Sequence, residues 1–387
     1  MQFTDFDPAV FLRDYWQKQP LLIRNPWKAW ENPLDPDELA GLACEDEVES
    51  RLITLGRDGV PDQLEAEHGP LPQKRFGQLG KQPWTLLVQA VDHHVAEVAA
   101  LIEPFRFVPN WRIDDVMVSY ATAGGGVGPH FDQYDVFLVQ GLGQRRWQIG
   151  AICDAATALL AHDDLRLLAN FEATEEWILE PGDILYVPPR FAHNGVAVSD
   201  DCMTYSIGFR APSRRELIES WCDDLVGGLE DEDRYADPDL PLQANPGEIS
   251  ASAIAGLHAL ITEKLGDRAA FAHWIGGFTS TPKYPDMEWQ PEQPMTADAL
   301  RACLGRNVPL IRNPASRFSF IRGQGGSVTL FVDGECFECA GQSSAFAQQL
   351  CAHSRLTIAP ELAKSEPAVG LIMTLCNQGS VAFEPEN

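Results

Sequence analysis

From about residue 112 to 210 the chain reads as a run of short strands joined by Gly and Pro turns, which limits its fold more than any other feature. Asp115-Val-Met-Val-Ser-Tyr-Ala, Val136-Phe-Leu-Val-Gln, Arg145-Arg-Trp-Gln-Ile, Trp177-Ile-Leu-Glu, Ile184-Leu-Tyr-Val and Met203-Thr-Tyr-Ser-Ile-Gly-Phe are the strands. Gly141-Leu-Gly lies between the second and third, and Pro181-Gly-Asp between the fourth and fifth; both predict hairpins. Short strands in this number predict a sandwich or barrel.

The flanks are more helical. Phe11-Leu-Arg-Asp-Tyr-Trp predicts a short helix and Pro20-Leu-Leu-Ile-Arg a strand. Trp84 to Ile102 is apolar at helical spacing, so His93 and His94 read as helix-packing or surface histidines. Beyond the strands, Ser213-Arg-Arg-Glu216 fits a capping box, with Leu217, Ile218, Trp221 and Leu225 as an apolar stripe. An acidic, Pro-containing stretch (230–246) precedes a second helix from Ile249 to Leu265. Residues 279–294 hold four prolines and read as a linker, and 295–387 as a small separate α+β domain.

A length of 387 residues fits two or three domains. The first residues carry acids and no basic region, so no secretory leader is expected. No apolar run approaches the ~18 residues of a membrane span. A cytoplasmic location is therefore expected, without membrane contact. Nine scattered cysteines read as reduced thiols. Cys336 and Cys339 form the sole C-x-x-C and lack a second ligand pair, so they read as strand cysteines, not a zinc site. The net charge of -27 disfavours direct nucleic-acid binding. It suits a basic protein partner, or equally solubility or adaptation to salt.

The chemistry is carried by Gly128-Pro-His130-Phe-Asp132, with His193 61 residues beyond Asp132. Two imidazoles and one carboxylate on one face bind non-haem iron(II) and leave three positions open. In a strand, residues i and i+2 share a side, which would bring His130 and Asp132 to one metal. His193, after Pro188-Pro-Arg-Phe-Ala, would come from a neighbouring strand. The alternative is a pair of hydrogen-bonded loop histidines. His162-Asp-Asp164 repeats the H-x-D spacing, but in a stretch that reads as helix or loop. Iron(II) with open positions accepts 2-oxoglutarate, whose far carboxylate needs a cation. Trp147 and Ile149 are apolar, so pleat parity turns Arg145 inward and Arg146 outward; otherwise Arg145 is a surface strand arginine.

At these residues the sequence resembles the bacterial ribosomal oxygenases of the JmjC (cupin-type) class, the ribosomal-protein arginine hydroxylases. Gly124-Gly-Gly-Val-Gly-Pro-His-Phe-Asp-Gln-Tyr-Asp-Val-Phe, Gln140-Gly-Leu-Gly-Gln-Arg-Arg-Trp and Leu179-Glu-Pro-Gly-Asp-Ile-Leu-Tyr-Val-Pro-Pro carry the resemblance. Trp111-Arg-Ile-Asp-Asp-Val-Met-Val-Ser and Tyr205-Ser-Ile-Gly-Phe-Arg-Ala-Pro extend it. It is specific to about residue 225 and rests on layout beyond about 240. It implies an α+β protein with a double-stranded β-helix (JmjC/cupin jelly-roll) core, a helical dimerisation region and a C-terminal winged-helix-like domain. The corresponding boundaries are 1–211, 212–278, a linker at 279–294, and 295–387.

The resemblance further implies hydroxylation of an arginine β-carbon in a basic large-subunit ribosomal protein by a homodimer using iron(II), 2-oxoglutarate and O2. It assigns the metal to His130, Asp132 and His193, the 2-oxoglutarate carboxylate to Arg145, and the substrate pocket to Asp115, Met117 and Tyr134. Thr204 stands near the cosubstrate where some members carry Asn. Asp114 and Asp115 are adjacent, so pleating allows only one into the pocket, and the resemblance favours Asp115. The alternative for Asp115 is a strand-edge carboxylate satisfied by Arg112. Three other functions stay open: a JmjC hydroxylase or demethylase acting on histidine or lysine, a small-molecule cupin oxygenase, and a non-enzymatic binding module. For the Ser213 helix, the stripe either forms the dimer contact or packs on its own barrel.

Overall fold

The computed structural model describes residues 2–55, 64–80 and 82–384, so the outer limits of the expected domains, residues 1 and 387, lie outside it. Asp7 opens helix α1 (Pro8–Asp14) by accepting the N–H groups of Ala9 and Val10, with Pro8 in the first turn. Strand β1 (Leu21–Ile23), helix α2 (Pro36–Leu42) and strands β2 (Ser50–Leu55), β3 (Leu64–His68) and β4 (Trp84–Val88) follow. The stretch from Trp84 to Ile102 is not one helix: it divides into β4, short 3-10 turns and the four-residue helix α3 (Ala96–Ala99). Trp84-Thr-Leu-Leu-Val pairs on both edges, with β2 and with the strand starting at Ile113, and that pairing outweighs the helical spacing. His93 sits in a 3-10 turn and is buried, its ring centroid 6.1 Å from that of Tyr284.

Strands β5 (Ile113–Ala121), β6 (Asp135–Leu142), β7 (Arg145–Ile152), β8 (Glu175–Leu179), β9 (Ile184–Val187), β10 (Phe191–Ala197) and β11 (Cys202–Phe209) build a double-stranded β-helix. One antiparallel sheet has the order β1-β9-β6-β11-β5-β4-β2-β3, and the second has β10-β7-β8. Both expected hairpins are therefore corrected. The turn at Gly143 carries the chain from β6 in the large sheet to β7 in the small one, and Pro181-Gly-Asp carries it back from β8 to β9. A hairpin is impossible at the first turn because β9 and β11 occupy both edges of β6, while β10 and β8 occupy those of β7.

The strand β6 explains the continuous apolar runs. Val136 and Leu138, with Leu185 beside them on β9, face Trp147 and Ile149 of the small sheet, whereas Phe137 and Val139 face Phe11, Phe105 and the N-terminal helices. A sheet covered on both faces needs apolar residues at every position.

Helix α4 (Arg214–Gly227) has the expected capping box between Ser213 and Glu216. Its Trp221 is buried against Phe271 and Trp274 of helix α6 (Arg268–Ser280), so the centre of the stripe is covered by this chain's own helix and not by the barrel. Helix α5 (Ala251–Leu265) has no buried residue and exposes Ile254, Leu257 and Ile261.

The Pro-rich segment after α6 is anchored: the Tyr284 hydroxyl donates to Glu49 Oε2 at 3.0 Å, and the Trp289 ring lies 6.1 Å from that of His94. Beyond it a second core forms from helices α7 (Ala297–Gly305), α8 (Gln342–Ala352), α9 (Pro360–Ala363) and α10 (Glu366–Gln378). Two small sheets complete it: β12 (Leu310–Arg312) between β16 (Arg355–Leu356) and β17 (Val381–Phe383), and the meander β13 (Phe318–Arg322), β14 (Val328–Val332), β15 (Glu335–Cys339). Cys336 is exposed and Cys339 buried on β15. No helix among the described residues is long and apolar enough to cross a membrane.

Candidate metal centre

Residues 126–130 run beside β10 as an irregular edge, bridged at Gly126–Val196 and His130–His193. Gly128 turns the chain with φ +82°, where a Cβ would meet the Leu167 side chain at 2.9 Å. His130 and His193 exchange backbone hydrogen bonds in both directions, at 3.0 and 2.8 Å. Such a pair puts both side chains on one face, and the ring centroids lie 4.3 Å apart. Asp132 lies outside any strand, so the expected i, i+2 strand geometry is not what aims it. Its backbone oxygen accepts the Arg190 N–H at 2.7 Å, and its Oδ2 stands 3.6 Å from His193 Nε2.

One ligand atom from each of His130, Asp132 and His193 lies within 4.8 Å of the others, and these three form the one such cluster among the described residues. Nδ1 of His130 points at the Gly128 carbonyl (2.8 Å) and Nδ1 of His193 at the Phe191 carbonyl (2.9 Å). Those carbonyls hold the Nδ1–H tautomer and leave both Nε2 atoms as ligands. Burial, then the neighbouring His130, pushes His193 down to about 4, so it is a neutral imidazole near pH 7. Two imidazole nitrogens and a carboxylate on one wall suit a divalent first-row metal with open positions. The second H-x-D does otherwise: His162 Nε2 reaches the Leu64 carbonyl, and its Nδ1 accepts from the N–H groups of Asp164 and Leu165.

The triad lines a cavity of about 530 Å³ that also receives Arg145, Asp115, Met117 and Tyr134. Arg145 is 3% exposed, and its Nε and Nη2 have no hydrogen-bond partner among the described residues. A buried guanidinium with two orphaned donors fits an anionic carboxylate. Arg146, by contrast, has a side chain 43% exposed, with Glu176 4.0 Å away. Tyr134 is half-exposed, at 43%. Thr204 is buried on β11, donates its hydroxyl to Gln140 Oε1 at 3.1 Å and is not among the residues that line the cavity. Ser206, two residues along on the same face, does line it. Strand parity from Thr204 is the signal that could have found Ser206.

The pleat argument for Asp114 and Asp115 fails. Ile207 pairs with Val116 and Phe209 with Ile113, so both aspartates oppose the single residue Gly208. This bulge cancels the alternation, and both carboxylates line the cavity. Arg112 pairs with Asp135 (3.2 Å), not with Asp115. Instead Asp115 is held by the Ala90 N–H (2.9 Å) and by Lys283 (3.0 Å). Lys283 was missed because it lies 168 residues away in the Pro-rich segment. Its one trace in the sequence is being the only basic residue of 279–294.

Residues 100–217 match the JmjC domain family and residues 262–382 the ROXA-like winged helix family. The chain is similar to the ribosomal protein uL16 3-hydroxylase of Escherichia coli (strain K12): 41% identical over 302 residues, covering 78% of this chain and 79% of the relative. It is similar also to a probable ribosomal oxygenase of Haemophilus influenzae, 39% identical over 273 residues that cover 68% of this chain and 65% of the relative. The solved structure of YcfD, a ribosomal oxygenase from Escherichia coli in complex with cobalt and 2-oxoglutarate, superimposes with a TM-score of 0.85 at 36% identity, over 99% of each chain.

Proposed function

We propose, since this chain belongs to the ribosomal oxygenases that join a JmjC domain to a ROXA-like winged helix, that it is an iron(II)- and 2-oxoglutarate-dependent oxygenase of ribosomal protein uL16 and that it hydroxylates an arginine β-carbon. The observation that carries this reading is one cavity lined by a His-Asp-His triad, a buried guanidinium with two donors that bond no acceptor among the described residues, and a buried carboxylate. When bound, iron(II) supplies the oxidising chemistry that inserts one atom of O2 into a C–H bond as 2-oxoglutarate becomes succinate and carbon dioxide.

The protein's own residues bind and aim. His130, Asp132 and His193 hold the metal, their rings steadied by the Gly128 and Phe191 carbonyls. Arg145 receives the far carboxylate of 2-oxoglutarate with its two unpaired donors. Asp115 accepts the substrate guanidinium, while Met117 and Tyr134 flank its aliphatic stem and fix one carbon near the metal. Cosubstrate contact by Thr204 would require its hydroxyl to leave Gln140. The acidic surface favours the basic protein over its RNA, and a ribosomal substrate implies a cytoplasmic reaction.

Asp115→Ala is expected to weaken target-peptide binding by about 2–5 kcal/mol, the range for removing a partly buried charge partner. Decarboxylation of 2-oxoglutarate without peptide should suffer much less, because Asp115 does not touch the metal. In a competition of peptides with arginine, lysine or histidine at the target position, arginine should turn over fastest, since an ammonium cannot form a planar two-pronged pair. Faster turnover of lysine or histidine would replace the arginine reading and leave the oxygenase reading standing.

The functional unit in this reading is a homodimer. Ile254, Leu257 and Ile261 recur at helical spacing on one exposed side of α5, an apolar stripe suited to a two-fold partner. Light scattering at micromolar concentration should give twice the chain mass, and Ile261→Glu should halve it. A monomer before substitution would reject the dimer.

A further inference from the structure

Lys283 enters the cavity from the segment between α6 and α7, outside the β-helix. Its ammonium lies 3.0 Å from Asp115 Oδ2 and 3.2 Å from Asp114 Oδ2. Asp114 Oδ1 accepts from Arg317 Nη2 at 2.7 Å, just ahead of β13 in the winged helix. Both contacts to Asp115, from Lys283 and from the Ala90 N–H, fall on Oδ2. Neither contact falls on Oδ1, and the opposing residue is Gly208, where even a Cβ would come within 3.7 Å of it.

We propose that Lys283 is a positioning residue for the substrate cation: bridging Asp114 and Asp115, it keeps Asp115 a carboxylate and leaves Oδ1 turned to the cavity as the acceptor. The inference rests on Asp115 receiving a cationic side chain, as read above. Its physical basis is local charge. Two adjacent carboxylates, Asp115 buried and Asp114 partly so, repel, and burial favours a proton on Asp115. Asp92, also buried beside them, is already pushed up to about 8 by burial and then by Asp115. Burial likewise raises Asp115, with Lys283 opposing it; on Asp114, Lys283 and Arg317 outweigh burial. Arg317 bonds Asp114 and has no bond to Asp115, so Lys283 is the cation that serves Asp115. A protonated Asp115 would present an O–H donor to a guanidinium, which has only donors. The Pro-rich segment and the winged helix are thereby parts of the substrate pocket.

The test compares an arginine target peptide with the same peptide carrying citrulline, a neutral near-isostere. Dissociation constants are measured without oxygen, on the full chain with iron(II) and 2-oxoglutarate. The unsubstituted protein should prefer arginine. Lys283→Met should lose at least about tenfold of that preference, the equivalent of one unit of altered protonation equilibrium. Lys283→Gln should behave like it, and Lys283→Arg should restore the preference. Because citrulline binding serves as the internal reference, a general loss of fold cannot imitate this ratio. An unchanged preference in both neutral variants overturns the proposal. So does tighter arginine binding in them, which would make Lys283 a competitor for Asp115. If the unsubstituted protein shows no preference, the cation reading of Asp115 fails first, and this inference falls with it.

Discussion

Asp132→Ala is expected to abolish peptide-dependent succinate formation while leaving the melting temperature within a few degrees of the unsubstituted value. The carboxylate is one of three ligands in a site with open positions, and such a site does not hold the fold together as a closed structural site does. Even residues that only steady a metal ligand typically contribute about 10–100-fold in metal affinity or activity, so loss of a ligand should exceed that. The fold should survive because backbone bonds assemble the site: His130 and His193 pair through their main chains, and Arg190 N–H binds the Asp132 main-chain oxygen, which alanine retains. Succinate release followed by mass spectrometry, with a thermal melt of the same sample, reads both halves. Retained turnover in a metal-stripped Asp132→Ala protein would refute the assignment.

Arg145→Ala should raise the 2-oxoglutarate requirement by roughly a hundredfold, the equivalent of about 3 kcal/mol for a charge-assisted pair in a desolvated pocket. Arg145 is 3% exposed and has two donors that bond no acceptor among the described residues. Its removal would leave the cosubstrate carboxylate in the cavity without that cation. Arg146→Ala should change the requirement by no more than a few-fold, because that side chain is 43% exposed and near Glu176. Titrating 2-oxoglutarate against succinate output in the two variants decides between them. Equal effects would mean that strand parity misidentifies the cosubstrate arginine.

These two predictions draw on what local pattern encodes well. Parity along β7 follows from the pleat, so the apolar Trp147 and Ile149 mark the face of Arg145 before any neighbour is known. The Ser213–Glu216 capping box is equally local, since its partners are three residues apart. Local pattern was weaker at the turns. Gly143 and Gly182 do adopt left-handed conformations, as the turn residues predicted, yet each turn joins two sheets instead of two paired strands. A glycine permits a reversal, but the available strand edges decide where it leads. Between Trp84 and Ile102, spacing suggested a helix, and pairing of β4 on both edges prevailed.

By itself the sequence determined the ligand types, their spacing, the inward arginine and the helix caps, because each depends on residue chemistry and on neighbours a few positions away. The tertiary structure decided the rest. It set His130 opposite His193 through a bridge that no periodicity announces. It placed a bulge at Gly208 that turned both Asp114 and Asp115 into one cavity. It also brought Lys283 to them from 168 residues beyond Asp115. The physical reason is common to all three. Register, bulges and buried charge compensation are chosen by what lies across the strand or across the cavity. Those partners become neighbours only once burial of both faces of the large sheet has fixed the packing.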